Sequence, residues 1–250
     1  MLKEKIEHSI ELIQKYSKHS ELFDDGYTVC FSGGKDSQVM LDLFKKSGVK
    51  YTAVYNVTTN DPPENVYFIR KNYPEVKFIF PRLTFLQLIE KKKMLPTMKK
   101  RFCCIELKEY YGEGYVATGV RREESFRRSS YAAVEKAKGK KNKYLIRPIL
   151  EWKEDEIWSY IEDNGLPVNP LYEQGRRVGC MFCPFATQRT LIYNANKYPK
   201  YHKLFMRSIE RIIDKGYMRD YSPVSGEQVW EWWISKRNSQ EFFTQLKIDL

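Results

Sequence analysis

Apolar residues recur every three or four positions in the first stretch of the chain. They are Leu2, Ile6, Ile10, Ile13 and Tyr16, with charged and polar residues between them. This spacing places the apolar side chains on one face of a helix. The pattern therefore predicts an amphipathic helix over residues 2–17 that packs on the body of the protein.

The next apolar stretch has the pattern of a strand that leads into a glycine loop and then a helix. Residues 27–31, Tyr-Thr-Val-Cys-Phe, are apolar and β-prone, and small polar residues follow from 32 to 37. Helical spacing resumes at Val39 and ends at Gly48. Within the strand, Cys30 is interpreted as a small buried apolar residue.

The alternation of strands and helices continues beyond this unit. The pattern predicts strands at 51–55, 76–80, 115–118 and 144–146, a helix over 64–72 and another that begins with residues 85–89. Such alternation is typical of an α/β fold with a doubly wound, mainly parallel sheet. Ligands of these sheets bind at the carboxyl ends of the strands, so we expect the loops after Phe31, Tyr55 and Thr118 to converge on one crevice.

From residue 151 onward the pattern becomes helical. Tyr, Phe and Trp residues recur at helical spacing near 154–162, 198–214 and 226–236, and no repeat or low-complexity tract separates the two halves. We expect a single domain over 1–250. Its parts are an N-terminal helix (1–22), an α/β core (23–150) and a helical C-terminal part with a cysteine pair (151–250).

Basic residues outnumber acidic ones, 43 to 32, which gives a net charge of +11. The excess is clustered at 91–93, 99–101, 121–122, 127–128 and in the lysines of 136–143. Such a field attracts polyanions, either a nucleotide or a nucleic acid, and the alternative is a solvated basic surface. No apolar stretch is long enough to span a membrane, and the charged N-terminal pattern differs from an export signal, so we expect a cytoplasmic protein without membrane contact.

The glycine loop carries the chemistry of a pyrophosphate site. Gly33 and Gly34 let backbone N–H groups approach phosphate oxygens, and the following helix adds the positive end of its dipole. Ser32 and Ser37 add hydroxyl donors, and Lys35 adds a cation. The remaining residue of the loop, Asp36, is a candidate ligand of Mg²⁺ or a stabiliser of the loop. The spacing is neither that of a Walker loop nor G-x-G-x-x-G.

Ser32-Gly33-Gly34-Lys35-Asp36-Ser37, placed after a first strand, resembles the PP-loop of ATP pyrophosphatases. Those enzymes cleave ATP to AMP and pyrophosphate while they adenylate a substrate. The resemblance implies a fold of the adenine-nucleotide α-hydrolase type.

A second segment, residues 118–128, is similar to the glycine and arginine segment of phosphoadenylylsulfate and adenylylsulfate reductases. In that family arginines hold the phosphate and sulfate of the nucleotide, which implies anion binding by Arg121 and Arg128 next to Gly119. A guanidinium group offers a planar fork that matches such oxyanions. Residues 147–152 and 166–172 also match, so the resemblance covers most of 27–200. On this basis Lys35, Asp36 and Arg121 are the candidate catalytic residues.

Four cysteines form two pairs, Cys103-Cys104 and Cys180-x-x-Cys183. The five cysteines of a chain without an export signal favour metal binding or catalysis over disulfides. Four thiolates satisfy a [4Fe-4S] cluster or tetrahedral zinc, and unligated core thiols are the remaining alternative. Adjacent cysteines are unusual in structural zinc sites but occur in the iron-sulfur adenylylsulfate reductases that this sequence resembles, which favours the cluster.

One departure from the reductases affects the expected reaction. Those enzymes carry a nucleophilic cysteine in a mobile tail, whereas no cysteine follows Cys183 in these 250 residues. The leading hypothesis is an ATP pyrophosphatase that uses Mg²⁺ and adenylates an acceptor for sulfur transfer, with nucleic acid as a candidate acceptor and a sulfur-donor protein as partner. The second is an adenylylsulfate or phosphoadenylylsulfate reductase that takes its thiol from a thioredoxin-like protein. The third is a nucleotide- and cluster-binding subunit without catalysis.

Overall fold

The computed structural model describes residues 2–22, 26–108, 114–139 and 142–248, with the backbone alone at 127 and 246–248. The strands of these residues are β1 (Tyr27–Cys30), β2 (Tyr51–Asn56), β3 (Lys77–Ile79), β4 (Gly114–Ala117), β5 (Val134–Lys136) and β6 (Lys143–Ile146). The helices are α1 (Leu2–Lys15), α2 (Ser17–Ser20), α3 (Lys35–Ser47), α4 (Pro63–Asn72), α5 (Phe85–Lys92), α6 (Phe102–Leu107), α7 (Glu154–Asp163), α8 (Pro170–Glu173), α9 (Gln188–Lys197), α10 (Pro199–Asp214), α11 (Gly226–Ser235) and α12 (Ser239–Ile248).

The strands form one sheet in the order β3-β2-β1-β4-β6-β5. All neighbouring strands are parallel except β5, which runs antiparallel to β6 at the edge. The order runs outward in opposite directions from β1 and β4, so these two strands flank the topological switch point of the sheet. The predicted doubly wound, mainly parallel sheet is therefore confirmed, and the loops after β1 and β4 lie where such sheets bind ligands.

Contacts divide the chain into two compact units. The first unit comprises 1–57, 62–80 and 110–178, and it contains the sheet; the second comprises 58–61, 81–109 and 179–250. The second unit thus takes its residues from both halves of the sequence and contains both cysteine pairs. The predicted segment boundaries at residues 22 and 150 stay predictions.

The core of the first unit forms around β1 and α3. Leu41, Leu43 and Phe44 of α3 are fully buried, and the ring of Phe44 packs edge-on against Tyr27 of β1 at 5.1 Å between centroids. Burial of each such side chain contributes about 1.5–3 kcal/mol relative to exposure, which holds α3 on the sheet. The helix ends where Gly48 adopts a left-handed conformation (φ +70°).

Aromatic side chains fill the core of the second unit. Phe182 of the Cys-x-x-Cys turn is fully buried, and its ring lies 4.8 Å from that of Phe205 and 5.7 Å from that of Tyr201. The turn is therefore anchored by the residue between its cysteines. In the part of the chain that the structure describes, no helix is both long enough and apolar enough to cross a bilayer.

Candidate functional site

The loop between β1 and α3 is closed by its two serines. The hydroxyls of Ser32 and Ser37 lie 3.1 Å apart, and that of Ser37 donates to the carbonyl of Gly34 at 2.8 Å. The Gly34 N–H donates to the Ser32 hydroxyl at 3.3 Å. Gly34 is the N-cap of α3, so the loop presents the first N–H groups of a 13-residue helix.

Two asparagines hold the loop from the other side. The amide of Asn65 in α4 donates to the carbonyl of Ser32 at 3.1 Å, and that of Asn169 donates to the carbonyl of Gly33 at 3.0 Å. The two asparagines also bond to each other at 2.8 Å, and both are buried. Because their partners are backbone carbonyls, the two asparagines fix the path of the loop without occupying any of its N–H groups.

Gly33 is required by this packing. Its φ is +76°, and a Cβ at this position would lie 2.3 Å from Oδ1 of Asn65. Gly48 has a similar φ of +70°, but a Cβ added there would meet no atom within 4 Å. An alanine at either position would have a strained left-handed backbone, but only at position 33 would its Cβ also clash with a neighbouring side chain.

Gly33→Ala is expected to destabilise the protein more than Gly48→Ala. The left-handed backbone costs about 1 kcal/mol in each variant. Displacement of Asn65 adds a further ~1–3 kcal/mol in Gly33→Ala alone. Urea denaturation of the two variants measures the difference, and equal losses of unfolding free energy would contradict the described packing of the loop.

Lys35 contributes both its side-chain ammonium group and its backbone N–H to the site. Its side chain is buried, and Nζ lies 3.2 Å from Asp36 Oδ2 and 3.5 Å from Glu154 Oε1. Its backbone N–H donates to the hydroxyl of Tyr172 at 3.0 Å. Burial raises the pKa of Tyr172 to about 12, so the hydroxyl stays neutral. The cation is therefore held at the helix N-terminus by two carboxylates.

Arg121, which follows β4, joins the same cluster. Its guanidinium is buried and donates from Nε to Asp36 Oδ1 at 2.5 Å and from Nη1 to Glu123 Oε2 at 2.6 Å. Nη2 lies 3.8 Å from Glu154 Oε2. Burial alone would lower the pKa of Arg121, but the charge and hydrogen bond of Asp36 outweigh it and raise the pKa. Arg121 thus stays charged against the phosphate loop.

The loop after β4 approaches α3 at Gly119. A Cβ on Gly119 would lie 3.1 Å from the backbone of Asp36, so a larger residue would crowd the first turn of the helix. Arg128, the other candidate anion binder, pairs with Glu124, whose carboxylate also accepts from the backbone N–H of Arg121 at 2.9 Å. The structure therefore brings Arg121 to the phosphate loop directly and ties Arg128 to Arg121 through Glu124.

The four paired cysteines lie together in the second unit. Cys103 and Cys104 are in α6, and the pKa of Cys103 is raised by its hydrogen bond with Cys104, by burial and by the charges of Cys180 and Cys183. The pKa of Cys103 thus responds to thiols of both pairs, and the assignment of the four cysteines as metal ligands stays a prediction.

Polar groups surround Cys180. Burial raises its pKa, while the Lys108 ammonium group lowers it in part. The Thr58 hydroxyl lies 3.6 Å from its sulfur. Asn60 accepts from the Phe182 N–H at 3.0 Å, and its own carbonyl accepts from the Met181 N–H at 2.7 Å, so the turn is fixed on both sides of Met181.

Among the described residues, no three His, Cys, Asp or Glu side chains are arranged so that they could hold a metal ion. The four cysteines therefore do not form a set of metal ligands in the described geometry. Their chemistry nonetheless fits a thiolate-bound group, because four thiols and a cation at Lys108 are gathered in one unit.

A family model of the phosphoadenosine phosphosulfate reductase domain matches residues 26–186, well over half of the chain. The match includes the phosphate loop, the Arg121 segment and all four paired cysteines. The chain belongs to the phosphoadenosine phosphosulfate reductase domain family. The sequence-based assignment to this family is thereby confirmed.

Individual relatives agree with membership of this reductase-domain family. An uncharacterized protein of Methanocaldococcus jannaschii is 30% identical over 87% of this chain and 55% of its own length. An adenosine 5′-phosphosulfate reductase of Oceanobacillus iheyensis is 27% identical over 65% of this chain and 73% of its own. The chain spans about half the length of the M. jannaschii relatives that it matches.

A solved structure shows the same fold. The FMN adenylyltransferase of Candida glabrata, determined in complex with ATP, superimposes with a TM-score of 0.52 at 16% identity and covers 72% of this chain and 61% of its own. This chain and the FMN adenylyltransferase thus share the architecture that the alternation of strands and helices predicts.

Sequence reasoning missed five residues of the phosphate-loop cluster: Asn65, Glu123, Glu154, Asn169 and Tyr172. Asn169 and Tyr172 lie in a segment, 166–172, that matches the reductase-domain family, and Tyr172 has two roles. Its ring packs with the centroid 5.2 Å from that of Trp158, while its hydroxyl accepts a hydrogen bond from the loop.

Of the basic run at 136–143, Lys140 and Lys141 lie outside the described residues.

Proposed function

We propose that this chain is an ATP pyrophosphatase, which cleaves ATP to AMP and pyrophosphate and adenylates an acceptor for sulfur transfer. The observation that carries the proposal is the cluster of opposite charges at the N-terminus of α3. Lys35 and Arg121 supply two cations there, and Asp36, Glu123 and Glu154 supply three carboxylates. The nucleotide would bind at residues 32–37, with Gly119, Arg121 and Arg128 on the facing loop.

The charge balance of this cluster favours a triphosphate bound with a divalent cation. Three carboxylates exceed two cations, so a polyphosphate alone would add negative charge to a site that already has an excess of it. Mg²⁺ is bound in proteins by one or two carboxylates together with phosphate oxygens, and Asp36 and Glu154 fit that role. When bound, Mg²⁺ would neutralise charge on the departing pyrophosphate. A site for adenylylsulfate would not require these carboxylates.

The chain's own residues have distinct tasks in this reaction. The N–H groups of the loop and the Lys35 ammonium group would hold the β- and γ-phosphates while the bond from the α-phosphorus to pyrophosphate breaks. Arg121, held rigidly by Asp36 and Glu123, would position the α-phosphate for attack by an acceptor oxygen. A sulfur nucleophile then replaces the adenylated oxygen, which leaves with AMP.

The four cysteines of the second unit are proposed to hold a [4Fe-4S] cluster, with zinc as the alternative occupant. Four thiols fit either, and Lys108 beside Cys180 would balance part of the negative charge of four thiolates. A cluster bound there would supply a site for sulfur or for electron transfer.

A second candidate function is reduction of adenylylsulfate or phosphoadenylylsulfate. The match to the reductase domain and the similarity to the O. iheyensis reductase favour it. In this case Arg121 and Arg128 would hold the phosphate and sulfate of the substrate, and a thioredoxin-like protein would supply the thiol.

The products distinguish the two functions. Purified protein is incubated with ATP and Mg²⁺, or with adenylylsulfate and reduced thioredoxin, and pyrophosphate and sulfite are measured in both mixtures. We expect pyrophosphate from ATP, dependent on Mg²⁺, and no sulfite. Sulfite release without pyrophosphate would reject the pyrophosphatase and support the reductase.

A further inference from the structure

A basic side chain lies against an exposed aromatic ring close in sequence to the two cysteine pairs. Arg101 stands two residues before Cys103, and Phe185 stands two residues after Cys183. The Arg101 guanidinium lies 5.6 Å from the centroid of the Phe185 ring, and this ring is 54% exposed. An exposed ring held by a cation is a surface on which another planar group can stack.

A cleft in the same unit begins next to the second cysteine pair. Pro184, bonded to Cys183, lines it, and its other walls are Thr97, Met98, Trp232, Trp233, Lys236 and Arg237. The indole N–H of Trp232 donates to the carbonyl of Arg237, and that of Trp233 to the carbonyl of Pro96. Both indole N–H groups are thus satisfied by backbone; Trp233 is buried and Trp232 is partly exposed, so the Trp232 ring supplies apolar surface to the cleft.

Cations border the cleft. The Lys236 ammonium group lies 4.7 Å from the centroid of the Trp233 ring, and Arg237 is exposed beside it. The sequence of the second unit holds 19 basic residues and 11 acidic ones, so this unit carries +8 of the +11 net charge of the chain. The charge excess is therefore concentrated in the unit that contains both cysteine pairs.

We propose that this aromatic and basic surface, formed by Arg101, Phe185 and the cleft from Met98 to Arg237, binds single-stranded nucleic acid. The proposal rests on the proposed function and names the class of its acceptor. Aromatic side chains stack on unpaired bases, and a basic surface follows the phosphates. Bases inside a duplex are stacked on each other, so neither Phe185 nor the cleft could receive them.

Fluorescence anisotropy tests this proposal with labelled 12-nucleotide strands. RNA and DNA of one mixed sequence, and the DNA duplex, are titrated with the full chain at low and moderate salt. We expect single strands to bind more tightly than the duplex, and we expect their affinity to fall as the salt concentration rises. A preference for RNA or for DNA identifies which single strand is the acceptor. The proposal would be overturned if single strands did not bind at low salt, or if the duplex bound as tightly as they do.

Two exposed residues give the residue-level test. Phe185→Ala removes a stacking surface and should weaken single-strand binding about 5- to 100-fold. Arg237→Ala should weaken it and reduce the salt slope by about 1. Arg207→Ala, on the exposed face of α10, removes the same charge and should bind as wild type does. Wild-type affinity in both Phe185→Ala and Arg237→Ala, each with an unchanged thermal midpoint, would contradict the assignment.

The test of the nucleic-acid surface can be told apart from the test of the pyrophosphatase activity. Without nucleic acid, water takes the place of the acceptor, and this basal hydrolysis of ATP to AMP and pyrophosphate should be the same in Phe185→Ala, Arg237→Ala and wild type. Loss of nucleic-acid binding with intact pyrophosphate release supports the proposed surface. Nucleic-acid binding without any pyrophosphate release would instead reject the proposed function and leave the surface assignment standing.

Discussion

Lys35→Ala is expected to reduce the rate of pyrophosphate release from ATP by about 100- to 1,000-fold, the loss typical of removing one preorganised stabiliser of transition-state charge. The side chain is buried at the N-terminus of α3, where its ammonium group is close to both Asp36 and Glu154. Charge builds on pyrophosphate as it departs, so the loss should fall mainly on kcat.

The matched control for this variant is Lys45→Ala in the last turn of the same helix. Lys45 is exposed and pairs with Glu75 at 2.6 Å, away from the phosphate loop. Because exposed ion pairs contribute about 0–1 kcal/mol, Lys45→Ala should keep wild-type turnover and nearly wild-type stability. Equal turnover in Lys35→Ala and Lys45→Ala would remove the loop lysine from the mechanism.

Cys180→Ser is expected to lose most of the iron from protein purified under anaerobic conditions, from about four atoms per chain to near none. Cys180 is half-buried, as the other three thiols are, and it has Lys108 and the Thr58 hydroxyl beside it. A serine hydroxyl is a poor replacement for a thiolate. Iron and zinc analysis with an absorption spectrum measures the loss.

Cys30→Ser controls for the general effect of removing a thiol. Cys30 lies in β1 of the first unit, away in sequence from both pairs, and should keep the full metal content. Zinc in place of iron in the wild-type protein would identify the alternative occupant. Unchanged iron in Cys180→Ser would reject Cys180 as a ligand.

The fold was largely predictable because its signals are local. The strand, glycine loop and helix at 27–48 are contiguous, and each is specified by its own periodicity and by glycines at its ends. The short edge strand β5 and helix α6 were missed, since three to six residues carry too little periodicity to be recognised. Helices α9 and α12 were also missed, because their apolar faces are interrupted by polar residues.

The site was predictable where its residues are consecutive and not where they meet across the sequence. Residues 32–37 are consecutive. Asn169, by contrast, donates to Gly33 from 136 positions away in the sequence, and Glu154, which pairs with Lys35, is also distant from the loop in sequence. These partners are set by the crossovers of the sheet, which no local pattern encodes. The pairing of Arg121 with Glu123 had a local signal, because the two residues are two positions apart.

The central claim is that the loop at 32–37 holds ATP for cleavage between the α- and β-phosphates. Phosphorus NMR of the wild-type protein with ATP and Mg²⁺ tests it most directly, because it identifies both products at once. We expect AMP and pyrophosphate in equal amounts, and neither in the same mixture with Lys35→Ala. Formation of ADP and inorganic phosphate, or ATP that stays intact in the presence of each candidate acceptor, would contradict the claim.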